Sequence, residues 1–209
     1  MSTRLGIELV MEPAFTARAY RARNIVCGQY ASWAAEMHLM RMSVVGYFEC
    51  ADTAVDLLVH DAARLAEGSR KRSPGFPIDC LGVANGAESG NPGSVYLDFQ
   101  QTGSDHPLAV LQREAVTLAG GLTGAVLLPE GDGFHPKVNL MEYANLPPAV
   151  MADALEFAKG VTIDLGVPAI ARAWRLVVLR YQSEAAGDDW SQGAWAPDLR
   201  WEYVSSYPV

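Results

Sequence analysis

Apolar and polar positions alternate along "FHPKVNLMEYA" (134–144), with Phe134, Pro136, Val138 and Leu140 on one side and His135, Lys137, Asn139 and Met141 on the other. A period of two predicts a half-buried strand, here with a cation and an amide two positions apart on its polar side. "LMRMSVVGYF" (39–48) has the same design: Met40, Met42 and Val44 alternate with Leu39, Arg41, Ser43 and Val45. Each segment is followed by an apolar pattern of helical period, "ADTAVDLLVHDAARLAEGS" (51–69), with Asp52 as a plausible N-cap, and "PPAVMADALEFAKGVTIDLG" (147–166), with proline at its start.

The remaining elements fall into the same order twice. The first set is a strand in "RLGIELVM", a helix in "YRARNIVCGQYASWAAEM" with Ile25, Tyr30, Trp33 and Met37 as its apolar face, the strand and helix above, and a closing strand, "FPIDCLGVA". After the turn-rich "NGAESGNPGS" come "SVYLDFQ", a helix in "PLAVLQREAVTLAGGL", the second strand and helix, and "ARAWRLVVLRYQ". Arg41 and Lys137, Ser43 and Asn139, and Asp52 and Pro148 are each separated by 96 positions. The pattern predicts a single α+β domain over 1–209 built from two βαβαβ-type halves, lobe one at about 1–88 and lobe two at about 93–209. A tail with Trp190 and Trp195 then leads to a last alternating strand, "DLRWEYVSSY"; these two indoles would either cover a pocket or pin that strand to the body.

Composition narrows the function classes. With 209 residues, half of them hydrophobic, the chain can bury one substantial core. A net charge of −8 argues against an extended nucleic-acid surface, which needs massed Lys and Arg. The basic run "SRKRSP" (69–74) suits a solvated helix C-terminus. Cys27, Cys50 and Cys80 are odd in number and lack metal or disulfide spacing, so a reducing cytoplasm is expected. No apolar run approaches the roughly 20 residues of a membrane helix. His38, at a helix-to-strand junction, reads as structural, and His60 and His106 as unremarkable. No pair shows metal spacing, and "AGGLTG" and "EGDGFHP" match no nucleotide-binding loop, so neither metal nor cofactor is expected.

The two strands with their polar pairs, above all "GFHPKVNL", resemble the motifs of the 2H phosphoesterase superfamily, the LigT-like cyclic phosphodiesterases and 2′,5′ RNA ligases. The resemblance implies a bilobal fold with antiparallel-containing sheets and a central cleft. Each lobe of that family contributes a His, any residue, then Thr or Ser, and the two motifs face one another. Here Arg41 and Lys137 stand at the histidine positions, with Ser43 and Asn139 at the hydroxyl positions.

Opening or sealing a cyclic phosphodiester needs groups that give and take protons near the working pH, and histidine, with a pKa of about 6.5, suits both roles. Arginine, with a pKa above about 12, cannot act as a base, and one lysine does not replace two imidazoles. Arg, Lys, Ser and Asn together do suit an anion-binding pocket. The expected function is therefore binding of a small anionic or polar metabolite, with rearrangement or cyclisation promoted by Lys137 and Arg41 as charge stabilisers. Two alternatives stand beside it: a cyclic phosphodiesterase using Lys137 with His135 or Asp98, and a non-catalytic binding protein.

Parity adds Glu8, Tyr96 and Asp98 to the cleft side, since Val95, Leu97 and Phe99 take the apolar side. Arg175 and Tyr181 share one face of their strand and are further candidates for substrate contact, as is Trp190. His135 lies two positions, or about 6.6 Å, from Lys137 and is either a substitute acid/base group or a strand-edge cap. The expected partner is a small molecule, with no membrane and no extended nucleic acid.

Overall fold

A computed structural model describes residues 1–88, 91–100, 103–127 and 133–209. Parts of two stretches named above, residues 89–90 of "NGAESGNPGS" and 130–132 of "EGDGFHP", lie outside the described residues. Strand β1 (Ser2–Met11) leads into helix α1 (Pro13–Tyr30), and β2 (Met42–Glu49) into α2 (Val55–Arg72). There follow β3 (Pro77–Glu88), β4 (Asn91–Phe99), α3 (Pro107–Gly120), β5 (Val126–Leu127), β6 (Lys137–Met141), α4 (Pro148–Asp164), β7 (Ile170–Ser183) and β8 (Arg200–Pro208). Among the described residues these strands form one eight-stranded sheet in the order β5-β2-β1-β7-β3-β4-β6, with β8 added along β7. All the pairings are antiparallel.

The long strand β7 joins the two halves. Its first residues, Ile170–Arg172, pair with Asp79–Pro77 of β3, and Ala173–Ser183 run beside β1. Beyond Asp79, β3 turns to pair with β4 as a hairpin. The closing strand of each half thus lies chiefly with the strands of the other half. This exchange makes the sheet continuous.

The main core lies between the helices and one face of the sheet, and includes Leu5, Ile7, Leu9, Val44, Leu97, Val138 and Leu140. A second cluster of Val10, Val177, Leu179, Tyr181, Trp190, Trp195 and Leu199 lies on the opposite face. Covering both faces explains why Leu176 to Leu179 are all buried, as in a doubly covered strand.

Helix α1 differs from the expected one. It starts at Pro13, where the missing N–H costs nothing, and ends at Ala31 in the left-handed conformation. Its inward face is Phe15, Ala19, Ala22 and Val26, whereas Ile25 and Trp33 are exposed. Small alanines that admit close approach to the sheet outweigh the bulkier residues that periodicity favoured. Ala34–Met37 form a separate 3₁₀ turn. Asp52 opens a 3₁₀ turn preceding α2, and the N-cap positions fall on Ala51 for that turn and Ala54 for α2, so the expected N-cap role is not Asp52's. The basic run closes α2 with Arg70, Lys71 and Arg72 in its last turn, and Arg72 bonds Glu114 at 2.7 Å.

Candidate functional site

The expected alternation holds over 42–44 and 137–140 and fails just beyond: Val45 and Met141, expected on the polar side, are buried in the main core beside register shifts in the β1–β2 and β4–β6 pairings. Val138 and Leu140 point into the core, while Lys137 and Asn139 lie on the other face opposite Asp98 and Tyr96 of β4. In the first half Ser43 lies opposite Glu8 of β1. The pairs Glu8–Ser43 and Tyr96–Asn139 therefore occupy corresponding places beside the two motif strands.

Arg41 lies just before β2 with its side chain 12% exposed. Its Nε is 3.3 Å from Glu8 Oε1 and donates to the Tyr181 hydroxyl at 3.2 Å, and that hydroxyl donates to Glu8 Oε1 at 3.0 Å. Burial opposes the Arg41 charge, but Glu8, followed by Tyr181, Tyr47 and Glu142, together more than restore it and hold the guanidinium pKa well above its usual value. Burial raises the Tyr181 phenol, which stays protonated as a donor.

Beyond Arg41 lies a cluster that strand parity does not reveal. His38 is 3% exposed; its Nδ1 is 3.1 Å from Glu142 Oε1, outside in-line hydrogen-bond geometry, and its Nε2 contacts the Tyr47 hydroxyl. Glu142 also accepts from Asn139 Nδ2 at 2.6 Å. Burial, reinforced by the nearby Arg41 charge, pushes His38 down to about 4, so the imidazole is neutral at pH 7. Burial alone would raise Glu142, but His38, Arg41 and Asn139 hold it below the ordinary carboxylate range. Trp195 closes over His38 edge-on, with ring centroids 4.4 Å apart. Asn139 and Glu142 from the second half thus meet His38 and Arg41 from the first. His38, read from the sequence as structural, is indeed buried, against Glu142 and Tyr47. Glu142 escaped the sequence analysis because it lies just past the end of β6, where parity assigns no face; its sole signal was a carboxylate set between Met141 and Tyr143.

A third group lies on the exposed side. His135 Nε2 is 2.8 Å from Asp98 Oδ1, with the side chains 34% and 27% exposed. The Lys137 ammonium lies 5.3 Å from the Tyr96 ring centroid, and the His135 ring meets the same ring edge-on at 5.3 Å. His135 precedes β6, so the Asp98 contact, not strand pairing, sets its position.

Two residues expected at the site are engaged elsewhere. Arg175 shares a face with Tyr181, but its Nε donates to Ser206 Oγ at 2.6 Å and its Nη2 to Ser206 O at 2.9 Å, which ties β7 to β8. Trp190 is 0% exposed and its Nε1 donates to Ser2 Oγ at 2.8 Å and Ala185 O at 3.0 Å. It offers no surface to a ligand. Trp195 Nε1 donates to Trp190 O at 3.0 Å within the 185–199 segment, and both indoles pack in the cluster with Val177 and Leu179 that holds this segment on the sheet. Among the described residues no cluster of metal-ligating side chains occurs, and no helix is long and apolar enough to cross a membrane.

No protein-family model matches the chain, and no curated protein sequence does. Solved structures do. A phosphoesterase crystal structure superposes with a TM-score of 0.56 at 12% identity, covering 100% of this chain and 99% of that one. E. coli LigT in its apo form gives 0.55 at 14% identity, covering 100% and 99%. E. coli LigT complexed with 3′-AMP gives 0.54 at 15%, covering 99% and 98%. This is the 2H phosphoesterase fold. At such identities the likeness establishes architecture alone.

Proposed function

We propose that the protein binds a small anionic or polar metabolite between its two motif strands and promotes a rearrangement or cyclisation by stabilising negative charge as it develops. The observation that carries this reading is the cation in each half: Lys137 beside Tyr96, and Arg41 held by Glu8 and Tyr181. Since Arg41 lies against a carboxylate, its contribution is mainly a fixed field, and Lys137, with Asn139 and Ser43, is the more direct ligand contact. LigT has been crystallised with 3′-AMP and with ATP, which supports a phosphate-bearing small molecule as the class to test first.

Titration calorimetry with 3′-AMP and 2′,3′-cyclic AMP tests the reading. Saturable binding by the unaltered protein is expected, weakened about tenfold or more in Lys137→Ala by loss of a charge-assisted contact. Failure of both nucleotides and of inorganic phosphate to bind, or equal binding by Lys137→Ala, removes it.

The 2.8 Å contact of His135 with Asp98 favours a second reading, a cyclic phosphodiesterase. A carboxylate on one imidazole nitrogen orients the ring, leaving the other nitrogen to exchange a proton with substrate. Hydrolysis of 2′,3′-cyclic nucleotides, abolished in His135→Ala and in Lys137→Ala, is the expected result. Turnover equal to that of either variant rules this reading out.

A further inference from the structure

A groove of about 540 Å³ opens beside His38, and its lining includes none of Lys137, His135, Asp98 and Tyr96. Its walls are Met11, Tyr20, Met40, Trp174 and Trp201, and Arg23 lines it as well. The volume suits a small molecule, and mostly apolar walls with a few polar groups are the usual make-up of such sites. Trp174 is 44% exposed and Trp201 36%, so both leave ring surface uncovered by the protein.

Arg23 gives the groove its chemistry. The residue is only 3% exposed, yet it forms no salt bridge among the described residues. Nη1 donates to Ala35 O at 2.9 Å, the guanidinium carbon lies 5.2 Å from the Tyr20 ring centroid, and Nε is buried without a hydrogen-bond partner. Burial pulls the Arg23 pKa down, as expected of a cation short of compensating charge. Glu36 also lines the groove, but its carboxylate faces the Asn24 side-chain amide at 3.1 Å in the orientation that satisfies both groups. The neighbouring His38 is neutral. A buried, incompletely bonded guanidinium is satisfied best by an ionised acceptor, and exposed indoles by a flat ring.

We propose that this groove is a ligand site for a planar aromatic anion, its ring against Trp174 and Trp201 and its acid group on Arg23. The inference is independent of the Lys137 site.

Two fluorescent probes test it: anilinonaphthalene sulfonate, an aromatic anion, and phenylnaphthylamine, the same arylamine without the sulfonate. The anion is expected to saturate a single site per chain, and the neutral probe to bind about tenfold or more weakly, the worth of one charge-assisted contact. Trp174→Ala and Trp201→Ala, both at exposed positions, should each weaken the anion at least about fivefold, as loss of an aromatic contact does. Leu81→Ala, at an exposed position on β3, and Lys137→Ala should leave it unchanged. Equal affinities for the two probes would reduce the groove to an apolar surface. Non-saturable binding, full affinity in both Trp variants, or loss in Lys137→Ala would each overturn the proposal.

Discussion

Arg41 Nε lies 3.3 Å from the carboxylate of Glu8, which is 1% exposed, so the cation of the first motif is paired inside the protein. Removing one member of a buried pair leaves the other uncompensated. Glu8→Ala is therefore expected to destabilise the fold by about 3–5 kcal/mol in urea titration, and Glu8→Ala with Arg41→Ala by less than the sum of the two single changes.

The neutral, buried His38 predicts how stability depends on pH. Its pKa is about 4 in the folded chain against the ordinary 6.5 of an exposed imidazole, so between these values the unfolded chain binds more protons. Stability then falls as pH drops from 6.5 towards 4, by about 3 kcal/mol from this residue, and levels off below. Glu142, depressed below the ordinary carboxylate value of 4.5, loses its own contribution only at lower pH. Urea midpoints between pH 7 and 4 should slope in the unaltered protein and flatten in His38→Gln.

His135 and Asp98 are both partly exposed, and a pair screened by solvent contributes about 0–1 kcal/mol. His135→Ala should leave the urea midpoint nearly unchanged while reducing ligand binding or turnover. A large fall in stability with unchanged binding would make the pair structural.

Gly193 sits at φ 75°, and a Cβ there would collide with the ring of Tyr143. Gly193→Ala is expected to cost about 1–3 kcal/mol through strain and overpacking. Near-ultraviolet circular dichroism should report the disturbance, because Tyr143 packs edge-on against Trp195 with centroids 5.3 Å apart.

Much of the architecture was legible in the residue pattern. Alternation located both motif strands, the 96-position offset related them, and parity placed Tyr96, Asp98 and Glu8 on the polar side. Strand parity survives folding because a sheet with one buried face permits a single register. The face of α1 was misread because Phe15 and three small or branched residues, Ala19, Ala22 and Val26, pack closer to the sheet than the larger Trp33 could.

The sequence by itself determined which residues share a face along the regular parts of the strands, where side-chain direction follows the two-residue period of the backbone; the register shifts that turn Val45 and Met141 into the core it did not show. Tertiary structure alone decided which faces meet: the exchange of β3 and β7 between halves, the junction of His38 with Glu142, the burial of Trp190, and the engagement of Arg175 by Ser206. These contacts join residues distant along the chain or held at strand ends, where no local period acts and packing against the rest of the molecule sets the position.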